Sequence, residues 1–165
     1  MSLACGIDVG GTKIAGGVVD RDGTVVEELR VESPATDVEA IEDAITSLVT
    51  ELRSRHAIET VGVGAAGYVD KERAVVLFAP NVAWRNEDLK GELERRVELP
   101  VVIENDANAA AWGEFRFGAG HDVDDLLLVT VGTGVGGGVE HIDLDDTGDW
   151  PEDPDVPTDP EEGDR

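Results

Sequence analysis

Within the first 31 residues, three apolar runs (residues 3–9, 14–19 and 24–31) are separated by two short glycine-bearing turns, Gly10-Gly11 and Arg21-Asp22-Gly23. Turns that short join antiparallel neighbours, so the opening predicts a three-stranded meander. The period then changes. Val38, Ile41, Ile45, Leu48, Val49 and Leu52 fall on one helical face, preceded by Thr36 and Glu39 at capping-box spacing. Residues 60–65 and 74–78 read as short strands, the second within a stretch from Tyr68 that also reads as strand. Asn86 is placed to cap a helix carrying Leu89, Leu93 and Val97, with Pro100 beyond its end. Residues 101–103 read as strand, 107–117 as a helix closed by Gly118, and 126–131 as an apolar strand running into Gly132. A meander followed by alternating strands and helices predicts an α/β fold, a mixed sheet with helices on its faces.

Composition narrows the partners. The 165 residues are one domain's worth of chain, with 37 acids against 13 bases and a net charge of −24. Such a surface repels phosphate backbones and anionic lipid, which argues against nucleic acid and against a membrane. The lysines are Lys13, Lys71 and Lys90, and an acid-rich, lysine-poor surface suits a halophile's salt-filled cytoplasm. Residues 143–165 hold eleven acids, one base and four prolines. This tail is expected to be disordered, because it has little apolar surface to offset the entropy of ordering. The single cysteine, Cys5, excludes a disulfide framework and a Cys-rich zinc site. No run approaches the length of a membrane helix and the N-terminus does not resemble a signal peptide, so a soluble, cytoplasmic protein is expected.

Four stretches could carry chemistry. Asp8-Val9-Gly10-Gly11-Thr12-Lys13 places a carboxylate at a strand end before a double-glycine turn. Glycines let backbone N–H groups approach phosphate oxygens, Thr12 adds a donor, and Asp8 can hold magnesium through water. An ordinary Gly-Gly hairpin is the simpler alternative. Gly132-Thr133-Gly134-Val135-Gly136-Gly137-Gly138 follows a strand and formally matches G-x-G-x-x-G, as does Gly62-Val63-Gly64-Ala65-Ala66-Gly67. A dinucleotide fold needs a helix directly after that turn, and neither copy has one. A phosphate-gripping hairpin loop suits the later copy better, with a flexible linker as the alternative. Glu104-Asn105-Asp106-Ala107-Asn108 stands at the head of an alanine-rich helix, where the dipole favours an ionised aspartate able to accept a proton. Plain N-capping by Asn105 or Asp106 describes the spacing better. Ala79-Pro80-Asn81-Val82-Ala83-Trp84 offers an amide and an indole for a polyhydroxylated ligand, unless Trp84 merely pins the loop. His56, His121 and His141 are scattered and receive no role.

In order and spacing, these stretches resemble the ROK family of bacterial and archaeal sugar kinases, particularly its glucokinases. The resemblance spans about residues 3–140. It implies the actin-like (ribonuclease H-like) ATPase fold, with an N-terminal lobe over residues 1–118, the first strands of a second lobe over 119–142, and the acidic tail from 143. It also implies Asp106 as the general base toward a sugar hydroxyl, expected to be the 6-hydroxyl of glucose or a related hexose. Asn105, Asn81 and the turn around Gly64 would line the sugar pocket. ATP phosphates would lie between Gly10, Gly11, Thr12 and Lys13 on one side and Gly132, Thr133, Gly134, Gly136 and Gly137 on the other, with Asp8 holding Mg2+.

The same resemblance marks departures. Family members continue into a second lobe with further sugar ligands, a Cys-rich zinc motif and the adenosine pocket. The zinc is therefore expected to be absent, the second lobe largely missing, the chain truncated, and turnover by this chain weak or lost. The alternatives are a non-catalytic sugar-binding or regulatory remnant, or one half of a split kinase whose partner is a second-lobe chain. The strand at 126–131 is expected to expose an apolar edge and to favour sticking or homodimer formation.

Overall fold

The computed structural model describes residues 2–131 and 135–141 of the chain. Strands β1 (Leu3–Val9), β2 (Lys13–Val19) and β3 (Val25–Glu32) form the expected meander. The chain next forms helix α1 (Val38–Arg53) and strand β4 (Ile58–Ala65), which lies parallel to β1. After a small three-stranded sheet, helix α2 (Leu89–Val97) leads into β8 (Val101–Asn105), parallel to β4. The five-stranded sheet therefore runs β3-β2-β1-β4-β8. Helix α3 (Asp106–Phe117) leads to a separate antiparallel ribbon of β9 (Asp125–Val131) and β10 (Val135–His141).

Alternation explains the layers. Ile7, Val9, Ile14, Val18, Val61 and Val63 point to one face and are buried beneath Ile41, Ile45, Leu48, Val49 and Leu52 of α1. Each buried side chain of this kind contributes about 1.5–3 kcal/mol relative to leaving it in water. The opposite positions are small or polar, among them Gly6, Asp8, Ala15, Gly17, Gly62 and Gly64. They floor a hollow of about 740 Å3 beside α3. Phe117, at the far end of α3, packs over Gly23, whose φ is +79° and whose Cβ position lies 2.5 Å from the ring.

Several boundaries differ from expectation. Asp37, not Thr36, caps α1, because the Asp37 carboxylate accepts from Ala40 N at 3.1 Å. Asp88, not Asn86, caps α2 by accepting from Gly91 N at 3.1 Å. Asn86 instead lies in the short strand β7 (Arg85–Glu87) with φ +53°. Residues 68–78 are not one strand but two, β5 (Tyr68–Val69) and β6 (Val76–Phe78). Asp70 turns the chain between them, accepting from Ala74 N at 2.8 Å and Val75 N at 2.9 Å. These side-chain turns outcompete a longer ladder. The proposed tail at 143–165 lies outside the described residues.

Candidate functional site

The parallel strands β1, β4 and β8 end side by side, and ligands of open α/β sheets collect at such carboxyl ends. Register places Asp8 beside Gly64, and Gly64 beside Glu104. A Cβ on Gly64 would stand 3.6 Å from Asp106 Cα, so the first turn of α3 rests directly over that glycine. Asp8, Gly64, Glu104 and Asp106 consequently border the same hollow. Burial, and after it the neighbouring Asp106 carboxylate, pushes the Asp8 carboxyl above its ordinary range.

The double-glycine turn is adjacent. Gly10 N donates to Lys13 O at 3.0 Å, closing the β1–β2 connection, and Thr12 O accepts from Ser33 N at 3.0 Å. Thr12 and Lys13 are exposed. A Cβ on Gly11 would meet Asn81 O at 3.0 Å and Asn81 Cβ at 3.1 Å. That close approach brings the 79–84 loop onto the turn and leaves Asn81 exposed beside it. Trp84 follows the alternative of a loop-pinning side chain. It is fully buried, and Arg85 donates to Ala79 O at 2.7 Å and Val82 O at 3.1 Å, so the indole pins the loop.

Asn105 realises the capping alternative. Its Oδ1 accepts from Ala107 N at 3.0 Å and Asn108 N at 3.1 Å. Its Nδ2 donates to Gly67 O at 2.9 Å and to Asp106 Oδ1 at 3.0 Å. The amide that the resemblance places against the sugar orders the helix start and the neighbouring carboxylate. Asp106 is exposed at the first position of α3 and borders the hollow.

Of the later glycines, Gly136 and Gly137 lie inside β10 rather than in a loop. A Cβ on Gly136 would meet Ala107 Cβ at 3.2 Å, so this glycine lets the ribbon approach the first turn of α3. Gly132, Thr133 and Gly134 lie outside the described residues. Cys5 is buried in the sheet, and among the described residues no cluster of three His, Cys, Asp or Glu is placed to hold a metal ion.

Residues 4–141 match the ROK family. The chain belongs to that family. A glucokinase from Streptomyces coelicolor is 55% identical over 139 residues, covering 84% of this chain and 44% of that protein. The crystal structure of a ROK family glucokinase from Streptomyces griseus, in complex with glucose and AMPPNP, superimposes with a TM-score of 0.80. It is 58% identical, over 83% of this chain and 44% of that one. A xylose repressor from Bacillus subtilis is 37% identical over 81% of this chain and 36% of its own length. This ROK chain therefore spans less than half the length of these relatives, and its fold is that of the actin-like ATPases. Among the described residues, no helix is long and apolar enough to cross a membrane.

Two groups of this ROK site were not singled out from sequence. Gly67 contributes a carbonyl to Asn105, and Arg73 pairs with Glu104 at 3.0 Å between Nε and Oε2. Gly67 shows in the sequence only as the last glycine of the Gly62–Gly67 match, and Arg73 carries no local signal, since its reach to Glu104 depends on the turn that Asp70 holds.

Proposed function

We propose that this chain carries the phosphate and sugar wall of an ATP-dependent, glucokinase-like hexose kinase. One observation carries the reading: Asp8, the Gly10-Gly11 turn, Asn81 and Asp106 converge at the ends of β1, β4 and β8. Glucose and an ATP analogue bound in the Streptomyces griseus relative support the substrate pair. Asp106 would take the proton from the sugar's 6-hydroxyl, while Asn105 holds Asp106 and Asn81 borders the acceptor. Gly10, Gly11, Thr12 and Lys13 would line the phosphates with backbone and side-chain donors. Gly132, Thr133, Gly134, Gly136 and Gly137 would approach them from the ribbon side.

The donor set suits magnesium. Asp8 offers a hard oxygen, and its like-charge neighbour Asp106 creates an anionic site that a divalent cation relieves. Asp8 would hold that ion through water, with nucleotide oxygens supplying most of its ligands, and the ion would neutralise phosphate charge. The protein's own contribution is positioning and proton acceptance.

Among the described residues only the ribbon begins a second wall, so turnover by this chain alone is expected to be low. In a coupled assay of ATP-dependent glucose phosphorylation, Asp106→Asn should lower turnover by about 10²–10⁴-fold. Glucose affinity measured by calorimetry should stay within about threefold, because the uniform binding contacts remain. Surviving turnover in the variant removes Asp106 as base. The one-sided hollow also favours a second reading, a sugar-binding or regulatory protein or half of a split kinase. Glucose binding with no phosphoryl transfer by the unaltered chain would select it.

A further inference from the structure

We propose that Glu104 is the positioning residue of the site: its carboxylate locks the β8–α3 junction so that Asn105 presents Asp106 to the hollow. This rests on the reading of Asp106 as the proton acceptor. Glu104 is the penultimate residue of β8 and is partly buried, its side chain 23% exposed. Its two oxygens divide their work. Oε1 accepts from Asn105 N at 2.8 Å and from Asn108 Nδ2 at 3.2 Å, while Oε2 pairs with Arg73 Nε at 3.0 Å. One carboxylate thereby ties three things: the last residue of the strand, the first turn of the helix, and the β5–β6 turn that carries Arg73.

The consequence reaches Asp106 through one intermediary. Asn105 uses Oδ1 on two helix amides and Nδ2 on Gly67 O and Asp106 Oδ1, so its rotamer sets the direction of the Asp106 carboxylate. That rotamer is held where the Asn105 backbone and the Asn108 side chain are held, and both are held by Glu104. Arg73 pairs with the other oxygen and so ties the β5–β6 turn to the junction. Its backbone carbonyl also accepts from Ile103 N at 3.1 Å, which anchors the hairpin to β8 one residue before Glu104. Glu104 does not need to touch a substrate for this role.

Two variants of the full chain test it, Glu104→Ala and Glu104→Gln. The glutamine retains an acceptor for Asn105 N and Asn108 Nδ2, so it serves as the conservative rescue. The first readout needs no turnover: NMR hydrogen exchange at Asn105 Nδ2 and at the amides of Ala107 and Asn108. In Glu104→Ala these should speed by about tenfold, the scale of one charge-assisted hydrogen bond, with amides of β1, β4 and α1 unchanged. In Glu104→Gln they should stay within about threefold of the unaltered chain. Unchanged exchange in the alanine variant overturns the proposal. So does acceleration spread over the whole sheet, or a glutamine variant that behaves like alanine. The second readout is kinetic, a fall in kcat of about tenfold with KM for glucose within about twofold; a raised KM at unchanged kcat overturns it. If the unaltered chain transfers no phosphoryl group, the kinase reading fails by itself, and the exchange comparison still decides whether Glu104 positions Asp106.

Discussion

The α1-covered face of the main sheet and the β9–β10 ribbon are built from the same residue types, yet they end in opposite environments. On the sheet, Val9, Ile14, Val18 and Val61 are at most 1% exposed. On the ribbon, Leu127, Val131, Val135 and Val139 are between 69% and 81% exposed. Register puts Leu127 opposite Val139 and Val131 opposite Val135, so these four side chains share one face. The other ribbon face packs on α3 through Gly136 and Gly138. A ribbon apolar on both faces has the pattern of an interior layer, while the sheet shows what such a layer looks like once a helix covers it. Strand alternation alone specifies which side chains share a face; a second layer decides whether that face is dry.

Core truncation should separate the two regions most strongly. Leu52→Ala, beneath the covered face, is expected to cost about 2–5 kcal/mol in chemical denaturation, whereas Val135→Ala on the open ribbon should stay within about 0.5 kcal/mol. Equal losses would mean that the ribbon face is covered in solution, by a second copy of the chain or by another polypeptide.

Glycines sharpen the contrast at a smaller scale. A Cβ on Gly138 would lie 2.6 Å from Ala111 Cβ and 2.8 Å from Ala107 O. Gly138→Ala should therefore lift the ribbon from α3 and destabilise it by about 1–3 kcal/mol. Gly62, on the open face of the main sheet, has nothing within 4 Å of its Cβ position. There an alanine should be neutral or stabilise by about 0.5–1 kcal/mol, read as a change in the denaturation midpoint.

The covering layer also contains a charge cluster whose effect is graded by pH. Arg96 of α2 pairs with Glu42 at 2.9 Å, with Asp43 at 2.5 Å and with Glu92 at 2.6 Å. Glu42 is buried between the helices, and burial, then Glu87, pushes its carboxyl up to about 7 against the Arg96 attraction. The folded chain thus holds a proton between about pH 4.5 and 7 that the unfolded chain releases. Its contribution to stability is full below that window and is lost as pH rises through about 7. Melting temperatures of the unaltered chain and Glu42→Gln should diverge from pH 5 to pH 8, with the unaltered chain losing more. A difference independent of pH would show that Glu42 is ionised throughout.

Much of this architecture is legible from local pattern. The glycine-bearing turns impose the meander, and the spacing of Ile41, Ile45, Leu48 and Leu52 imposes α1, because both rest on contacts a few residues apart. Caps were less legible. Thr36 and Asp37, or Asn86 and Asp88, are both suitable acceptors, and the choice depends on where the preceding chain already runs. The ribbon's second strand was hidden because three consecutive glycines, Gly136 to Gly138, read as a loop until α3 stands against them.

The candidate site divides in the same way. Residue types and order alone singled out Asp8, Gly10, Gly11, Asn81 and Asp106, since oxygen donors beside unhindered backbone are a local property. That Asp8 and Asp106 border one hollow, with the Gly10-Gly11 turn and Asn81 beside it, is a matter of parallel pairing among β1, β4 and β8, whose partners are roughly forty to fifty-five residues apart in sequence. The same pairing decides that Asn105 caps while Asp106 faces outward, and that Arg73 reaches Glu104. Local chemistry names the groups; only the closure of long loops sets their distances, because the entropy that opposes such closure is repaid by the buried sheet and not by the site itself.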